Sequence, residues 1–187
     1  ACCDMENDEV DDSGYLRKLV EAIEEKYSVD PDSIHFLGHS NGGFMSLRMA
    51  CEHADKIASV QSLAGAMFLI AEDHEPTEPV HMLQVHGTED KVIKYDGGIF
   101  RAGQYPSARE TVEMWATFNN CKMVPKQKGT IDLVTNVEGE DTTVLCYEND
   151  ESKKVSELWT IHGGSHGPRF NHSYSPRIID WLLSHRK

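Results

Sequence analysis

The sequence contains no apolar run that approaches the roughly 20 residues an α-helix needs to span a bilayer. It also contains no internal repeat, low-complexity tract or linker. Basic residues are few, since 18 Lys and Arg stand against 31 Asp and Glu, and the net charge is −13. Because phosphate groups are bound by basic surfaces, we expect neither nucleic acid nor a membrane as a partner.

None of the five cysteines forms a Cys-x-x-Cys pair, which argues against a structural zinc site. We expect neither a metal nor a cofactor. Two disulfides with one remaining thiol would fit an oxidising compartment, and buried free thiols are the alternative. The cysteine content favours a secreted protein, although no signal peptide opens the chain, so the location stays open. The cysteines are Cys2, Cys3, Cys51, Cys121 and Cys146.

The 187 residues, 39% of them hydrophobic, are enough for a single domain with a buried core. Apolar spacing predicts helices over 12–27, 42–52 and 106–118, and a closing helix from Ser175 that buries Ile178, Ile179, Leu182 and Leu183. Strands are predicted over 33–37, 57–64, 80–85 and 155–161, with a hairpin over 129–135 and 142–148. This alternation predicts an α/β fold, in which helices cover both faces of a mainly parallel sheet.

Residues 38–43 read Gly-His-Ser-Asn-Gly-Gly and follow an apolar strand. A strand that ends in Gly-x-Ser-x-Gly and opens into a helix is typical of a nucleophile elbow, here with Ser40 as the nucleophile. We expect a side chain at Gly38 or Gly42 to collide with the neighbouring backbone. The backbone N–H of Asn41, at the start of the helix, is a candidate oxyanion donor. The alternative is an ordinary Gly/Ser turn.

A serine nucleophile needs a base and an orienting carboxylate, which follow later in the chain of an α/β-hydrolase. Asp90 lies in a turn after the strand 80–85, and Glu89 or Asp96 could take its place. The glycine-rich loop after the strand 155–161 presents His166, which its glycines favour over His162 and His172. The chain order predicts a triad of Ser40, Asp90 and His166.

The motifs resemble the polyhydroxybutyrate depolymerase / feruloyl esterase group of the α/β-hydrolases. The resemblance is carried by residues 38–45, by 86–90 with Val92 and Tyr95, and by 163–166. The flanks agree as well: Cys2-Cys3 before 10–16, residues 50–53, and Trp115 with 119–121. It implies a carboxylic ester hydrolase that acts on short-chain, feruloyl, acetyl or polyester substrates. It also implies that Cys121 pairs with Cys146, and Cys51 with Cys2 or Cys3.

Members of this group carry further strands before the elbow, including a loop that supplies an oxyanion donor. Here Ser40 comes early, so we expect a single α/β-hydrolase domain over 1–187 that is truncated at its N-terminus relative to the group. The second oxyanion donor has no candidate, and losing one donor typically lowers the rate by about 10²–10³. The elbow strand would then form an exposed apolar sheet edge, through which a homo-oligomer could assemble.

The sequence therefore predicts a serine carboxylic ester hydrolase that forms an acyl-enzyme on a small-molecule or polymeric ester. His39, Met67 and Phe68 are candidates for lining an open, shallow site, although they could equally belong to the core. The alternative function is a non-catalytic hydrolase-fold binding protein, or an inactive fragment that lacks a full oxyanion hole.

Overall fold

The computed structural model describes residues 10–67, 75–100 and 103–187. Four helices are present in this part of the chain: α1 (Asp12–Lys26), α2 (Asn41–Glu52), α3 (Ala108–Phe118) and α4 (Tyr174–Ser184). The strands are β1 (His35–His39), β2 (Ser59–Leu63), β3 (His81–Gly87), β4 (Gly98–Phe100), β5 (Gly103–Tyr105), β6 (Lys126–Ile131), β7 (Thr142–Glu148) and β8 (Val155–Ile161).

Six of these strands form one sheet in the order β1-β2-β3-β8-β7-β6. β1, β2, β3 and β8 are parallel to one another, whereas β7 and β6 continue the sheet antiparallel. The strands β4 and β5 make a separate antiparallel hairpin. Because parallel strands end at the same edge of a sheet, the segments after β1, β3 and β8 are brought together there.

Two apolar clusters cover the two faces of the sheet, as the alternation of side chains along β3 shows. Met82 belongs to one cluster, whereas Leu83 and Val85 belong to the other. The first cluster includes residues of α2 and α3, and the second includes residues of α4. The predicted α/β architecture, a mainly parallel sheet with helices on both faces, is confirmed.

The predicted buried face of the last helix is partly wrong. Ile178 and Leu182 are buried, but Ile179 and Leu183 are 54% and 58% exposed, and Trp181 is buried instead. At 100° per residue, positions 178, 181 and 182 share one face, and 179 and 183 lie beside it. The short hairpin β4–β5 has no counterpart among the predicted elements. The predicted hairpin over 129–135 and 142–148 is present as β6 and β7, but β6 both begins and ends earlier than predicted, at Lys126 and Ile131.

The helix α1 lies where the sequence predicts it, but one apolar stripe along it faces solvent. The stripe has i, i+4 spacing and consists of exposed side chains: Tyr15, Leu19, Ile23 and Tyr27. On another side, Arg17 forms two hydrogen bonds of 2.9 Å with the Asp55 carboxylate. β1 is an edge strand of the described sheet, and Leu37 on it is 59% exposed. Assembly of copies through this edge stays a prediction.

Asn119 joins α3 to the sheet at the ends of two strands. Its side chain is buried, its Oδ1 accepts from the Val80 N–H at 3.0 Å, and its Nδ2 donates to the Val80 carbonyl at 2.9 Å. The same Nδ2 lies 3.1 Å from the Ser156 Oγ beside it. The Asn119 amide therefore pairs both the N–H and the carbonyl of buried Val80. Left unpaired in the interior, these two backbone groups would destabilise the fold.

The disulfide that the resemblance implied between Cys121 and Cys146 is absent. Both residues are buried free thiols, and their sulfur atoms point at different groups. The Cys121 Sγ lies 3.7 Å from the Lys154 carbonyl, and the Cys146 Sγ lies 3.7 Å from a Glu148 carboxylate oxygen. Cys51 is also a buried free thiol, and its predicted partners, residues 2 and 3, lie outside the described residues.

Within the described ranges, no helix combines the length and the apolar character that crossing a membrane requires. No group of His, Cys, Asp or Glu side chains in the same part of the chain is arranged to hold a metal ion.

Candidate active site

Ser40 stands between β1 and α2 in a backbone conformation that few residues with a side chain adopt. Its φ is 56° and its ψ is −119°. Such a conformation destabilises the chain by about 1–3 kcal/mol and persists only where neighbours hold it. The Ser40 N–H donates to the Leu63 carbonyl at 2.8 Å, and the Ser40 carbonyl accepts from the N–H groups of Gly43 and Phe44. β2 and the first turn of α2 therefore hold the turn.

The two glycines that flank this serine have different roles. A Cβ added at Gly38 would lie 2.2 Å from the carbonyl carbon and oxygen of Gly42, so β1 can meet α2 this closely only if position 38 is glycine. A Cβ added at Gly42 would have nothing within 4 Å. The prediction that a side chain would collide with backbone is therefore confirmed for Gly38 and wrong for Gly42. Position 38 approaches the backbone of Gly42, whereas a Cβ on Gly42 itself would point into open space.

His166 lies between Ser40 and Asp90 and contacts both. Its Nδ1 is 2.8 Å from Asp90 Oδ2, and its Nε2 is 2.9 Å from Ser40 Oγ. A carboxylate can only accept, so the proton of the neutral imidazole belongs on Nδ1. Nε2 then carries the lone pair that accepts from the Ser40 hydroxyl. This arrangement aligns a hydroxyl, a base and an orienting carboxylate.

The side chain of Asp90 has no exposed surface and is held through both oxygens. Oδ1 accepts from the N–H groups of Val92 and Ile93 at 2.8 and 3.0 Å. Burial raises the pKa of the Asp90 carboxyl, but hydrogen bonds from His86, His166 and the Val92 N–H outweigh it, so the pKa lies below its usual range. Asp90 therefore faces the imidazole as a carboxylate.

The loops that carry Asp90 and His166 are tied to each other. The Glu89 N–H donates to the Gly164 carbonyl at 2.8 Å. A Cβ added at Gly87 would lie 2.2 Å from that same carbonyl oxygen, so the two loops pass in close contact. Gly87 at the end of β3 and Gly164 after β8 thus allow the loops that carry the carboxylate and the imidazole to pack directly against each other.

His39, a predicted lining residue, lies against the imidazole of His166. Its Nε2 is 2.7 Å from the His166 carbonyl oxygen, and the ring centroids are 4.8 Å apart at 43°. Because a carbonyl only accepts, this Nε2 carries a proton. His39 is exposed, so its ring remains available to a bound substrate, and that role stays a prediction.

The other candidates lie away from this constellation or have other contacts. Glu89 and Asp96 are exposed, and the His162 Nε2 pairs with the Thr143 Oγ1 at 2.8 Å. His172 is also exposed. Met67 belongs to the buried core, and residue 68 lies outside the described residues. Asn41, the predicted oxyanion donor, is the first residue of α2 and directly follows Ser40.

Sequence reasoning assigned no role to two buried residues on β3 that reach this site. The His86 Nε2 lies 3.3 Å from Asp90 Oδ2, and the Gln84 Nε2 lies 3.1 Å from the His86 Nδ1. The available signal was a polar pair at alternate positions of a buried strand that, apart from His81 at its start, is otherwise apolar.

Comparison with known proteins agrees with the fold and with an esterase-like family. Residues 4–124, more than half of the chain, match the sequence profile described as Phospholipase/Carboxylesterase. The chain belongs to the phospholipase/carboxylesterase family. This assignment and the relatives described next confirm the expected likeness to esterases of the α/β-hydrolase fold.

Feruloyl esterase B of Piromyces equi is 31% identical over 176 residues, which cover 88% of this chain and 30% of that protein. The putative esterase NocK of Nocardia uniformis subsp. tsuyamanensis is 28% identical over 189 residues, 94% of this chain and 54% of that protein. The chain thus spans 30% to 54% of the length of these two curated relatives. The acetyl xylan esterase of Aspergillus awamori superposes with a TM-score of 0.61 at 14% identity, covering 91% of this chain and 66% of that one, and supports the fold alone.

Proposed function

We propose that the protein hydrolyses carboxylic esters through an acyl-enzyme on Ser40. One observation carries the proposal: two hydrogen bonds, of 2.8 and 2.9 Å, link Asp90 to His166 and His166 to Ser40. The three side chains follow β1, β3 and β8 at the carboxyl edge of the sheet, where this fold holds its ligands. Membership of a carboxylesterase family supports the same reaction class.

In the first half of the reaction, the Ser40 Oγ attacks the ester carbonyl carbon while its proton moves to the His166 Nε2. The tetrahedral intermediate collapses, the ester C–O bond breaks, and the imidazolium gives that proton to the leaving alkoxide. Asp90 keeps the imidazole in the required tautomer and stabilises the imidazolium. In the second half, His166 takes a proton from water as the water oxygen attacks the acyl carbon. The bond between that carbon and the Ser40 Oγ then breaks while the imidazolium returns the proton to Oγ, which releases the acid and restores the Ser40 hydroxyl.

The negative charge of the intermediate needs a donor beside Ser40. We assign this role to the backbone N–H of Asn41, which opens α2, because the N-terminus of a helix favours negative charge. His39, beside the imidazole, is the side chain that we expect to contact the substrate.

For the substrate, we propose esters of aromatic or short acyl groups, beginning with feruloyl esters. The support is the feruloyl esterase that is 31% identical over most of this chain. A panel of p-nitrophenyl acetate, methyl ferulate and a short polyhydroxyalkanoate distinguishes the short-chain, feruloyl and polyester alternatives.

The decisive experiment is covalent labelling with a fluorophosphonate probe, which reacts with an activated serine. We expect the wild-type protein to be labelled and to hydrolyse p-nitrophenyl acetate. Ser40→Ala should abolish both, whereas Ser33→Ala, before the same strand β1, should keep both. Labelling that survives in Ser40→Ala would refute the assignment. A wild-type protein that is not labelled would favour the alternative, a non-catalytic binding protein of the same fold.

A further inference from the structure

His86 is a buried imidazole that touches the candidate triad without belonging to it. Its side chain is 1% exposed, and it lies near the end of β3, four residues before Asp90. Its Nε2 lies 2.8 Å from the Ile93 carbonyl oxygen and 3.3 Å from Asp90 Oδ2. Both of these oxygens are acceptors, so the Nε2 must carry a proton.

The other ring nitrogen of His86 is fixed as an acceptor by Gln84. The Gln84 Nε2 donates to the Gly65 carbonyl at 2.7 Å, and this bond sets the orientation of the amide because its oxygen would repel that carbonyl. The second proton on the Gln84 Nε2 points at the His86 Nδ1, 3.1 Å away. The Gln84 Oε1 is buried and has no hydrogen-bond partner among the described residues. The amide therefore keeps the orientation that serves His86 while its own oxygen remains unpaired.

These contacts leave His86 as a neutral imidazole whose one N–H bonds to the Ile93 carbonyl at 2.8 Å and also faces the Asp90 carboxylate at 3.3 Å. We propose that His86 is a positioning residue: its Nε2–H holds Asp90 Oδ2 in the orientation in which that oxygen meets His166. The inference rests on the proposed function, in which Asp90 orients the catalytic base.

Asp90 needs an anchor of this kind because its two oxygens are held differently. Two backbone N–H groups fix Oδ1, whereas Oδ2 is held only by His166 and His86 in the described structure. His166 must pass a proton from Ser40 to the leaving group, so its ring is a moving partner. His86 supplies a partner for Oδ2 that does not take part in the proton transfer.

The charged and titratable groups around His86 are few. Tyr95 packs edge-on against its ring, at 5.7 Å between centroids, and the Tyr95 hydroxyl bonds to the Thr160 Oγ1 on β8. Burial raises the pKa of Tyr95, and Arg109 of α3 and Asp96 act on it with opposite signs, so it stays protonated near neutral pH. A pH effect of changing His86 therefore acts through Asp90 and His166.

Two substitutions separate the contact of His86 with Asp90 from its contact with Gln84. In His86→Asn the shorter amide can still accept from Gln84 near the place of Nδ1, but it does not reach Asp90. In His86→Gln the longer amide can donate near the place of Nε2, but it gives up the contact with Gln84. If the contact with Asp90 positions the carboxylate, the Gln variant should stay close to wild type in kcat and the Asn variant should fall, whereas a role that depends on the hydrogen bond with Gln84 predicts the reverse.

We expect His86→Asn to lower kcat for p-nitrophenyl acetate about 10-fold with KM unchanged, less than the roughly 10⁴-fold that disabling a triad carboxylate causes. The acid limb of kcat/KM should move to lower pH, because a displaced carboxylate stabilises the imidazolium less. The low-field proton signal of the His166 Nδ1–H, which needs no turnover, should broaden. His81→Asn, the same change at another buried histidine of β3, is the control and should leave the pH profile in place.

Wild-type kcat and pH profile in His86→Asn would overturn the inference, as would a shift of the acid limb to higher pH or activity lost in the Gln variant alone. An inactive, unlabelled wild-type protein would instead refute the proposed function. In that case the proton signal still decides whether His86 positions the carboxylate, with an unchanged signal in His86→Asn counting against it.

Discussion

The two glycines around Ser40 offer a matched pair of substitutions, Gly38→Ala and Gly42→Ala. At Gly38 the new methyl group would lie 2.2 Å from the carbonyl carbon of Gly42, whereas ordinary contact begins at 3.4 Å. The end of β1 and the start of α2 must therefore separate by about 1 Å, and backbone atoms cannot rotate away as a flexible side chain can. Overpacking typically destabilises by about 1–3 kcal/mol, and we expect Gly38→Ala to reach or exceed the upper value.

The same displacement moves Ser40, because the turn joins the two elements that separate. A misplacement of about 1 Å at a reacting group lowers a rate by roughly 10²-fold, which is the loss in kcat that we expect for Gly38→Ala. Gly42→Ala adds a methyl group in open space on the first turn of α2. Alanine is the better helix former, so the unfolding free energy should stay within about 1 kcal/mol of wild type, on the stabilising side.

Urea unfolding measures the stability of both variants, and hydrolysis of p-nitrophenyl acetate measures the placement of Ser40. Fluorophosphonate labelling rates give a second readout of the nucleophile. Equal stability and equal labelling of the two variants would refute the reasoning, because it depends on a close approach that exists at Gly38 and not at Gly42. Greater damage from Gly42→Ala would contradict it outright.

Three further predictions concern stability and reactivity. Burial, with the charges of neighbouring cations, lowers the pKa of His81 to about 3. As the pH falls, His81 is protonated in the unfolded chain before it is protonated in the folded protein. The free energy of unfolding should therefore fall below about pH 6.5, by up to about 1.4 kcal/mol per pH unit. His81→Asn should flatten this pH dependence, as measured by urea unfolding. Asn119→Ala should destabilise by about 3 kcal/mol in the same assay, because it leaves both backbone groups of buried Val80 unpaired. Iodoacetamide with peptide mapping should find three thiols that react only after unfolding, because burial raises their pKa values: Cys51, Cys121 and Cys146.

The nearness of Ser40, Asp90 and His166 could be predicted because each follows a strand with a clear apolar pattern. The chain order of serine, carboxylate and histidine in an α/β-hydrolase then indicates which strand ends meet. The choice of Asp90 over Glu89 depends on which side chain turns inward, and a one-residue difference in a turn leaves no periodic signal. The structure brings Asp90 to the imidazole and leaves Glu89 exposed.

What could not be predicted depends on contacts between distant segments. The open space at Gly42 depends on the angle at which β1 meets α2, and no local pattern encodes that angle. The exposure of Ile179 and Leu183 depends on the rotation of α4 over the sheet, although the spacing of Trp181 with Ile178 favours the observed face. The free thiols at 121 and 146 similarly depend on how the segment after α3 lies against β7 and the start of β8.

The sheet supports Asp90 and His166 more firmly than it supports Ser40. Asp90 and His166 follow β3 and β8, which are neighbouring inner strands, and their loops are joined by hydrogen bonds. Ser40 follows β1, which pairs on one side only within the described sheet, and its turn is strained. Regions with fewer packed neighbours open at lower free energy, so changes near β1 act first on the position of the nucleophile. Asp90 and His166 can then stay hydrogen-bonded to each other after Ser40 has moved. The position of Ser40 is therefore the part of the candidate site that is most sensitive to contacts made at the β1 edge of the sheet.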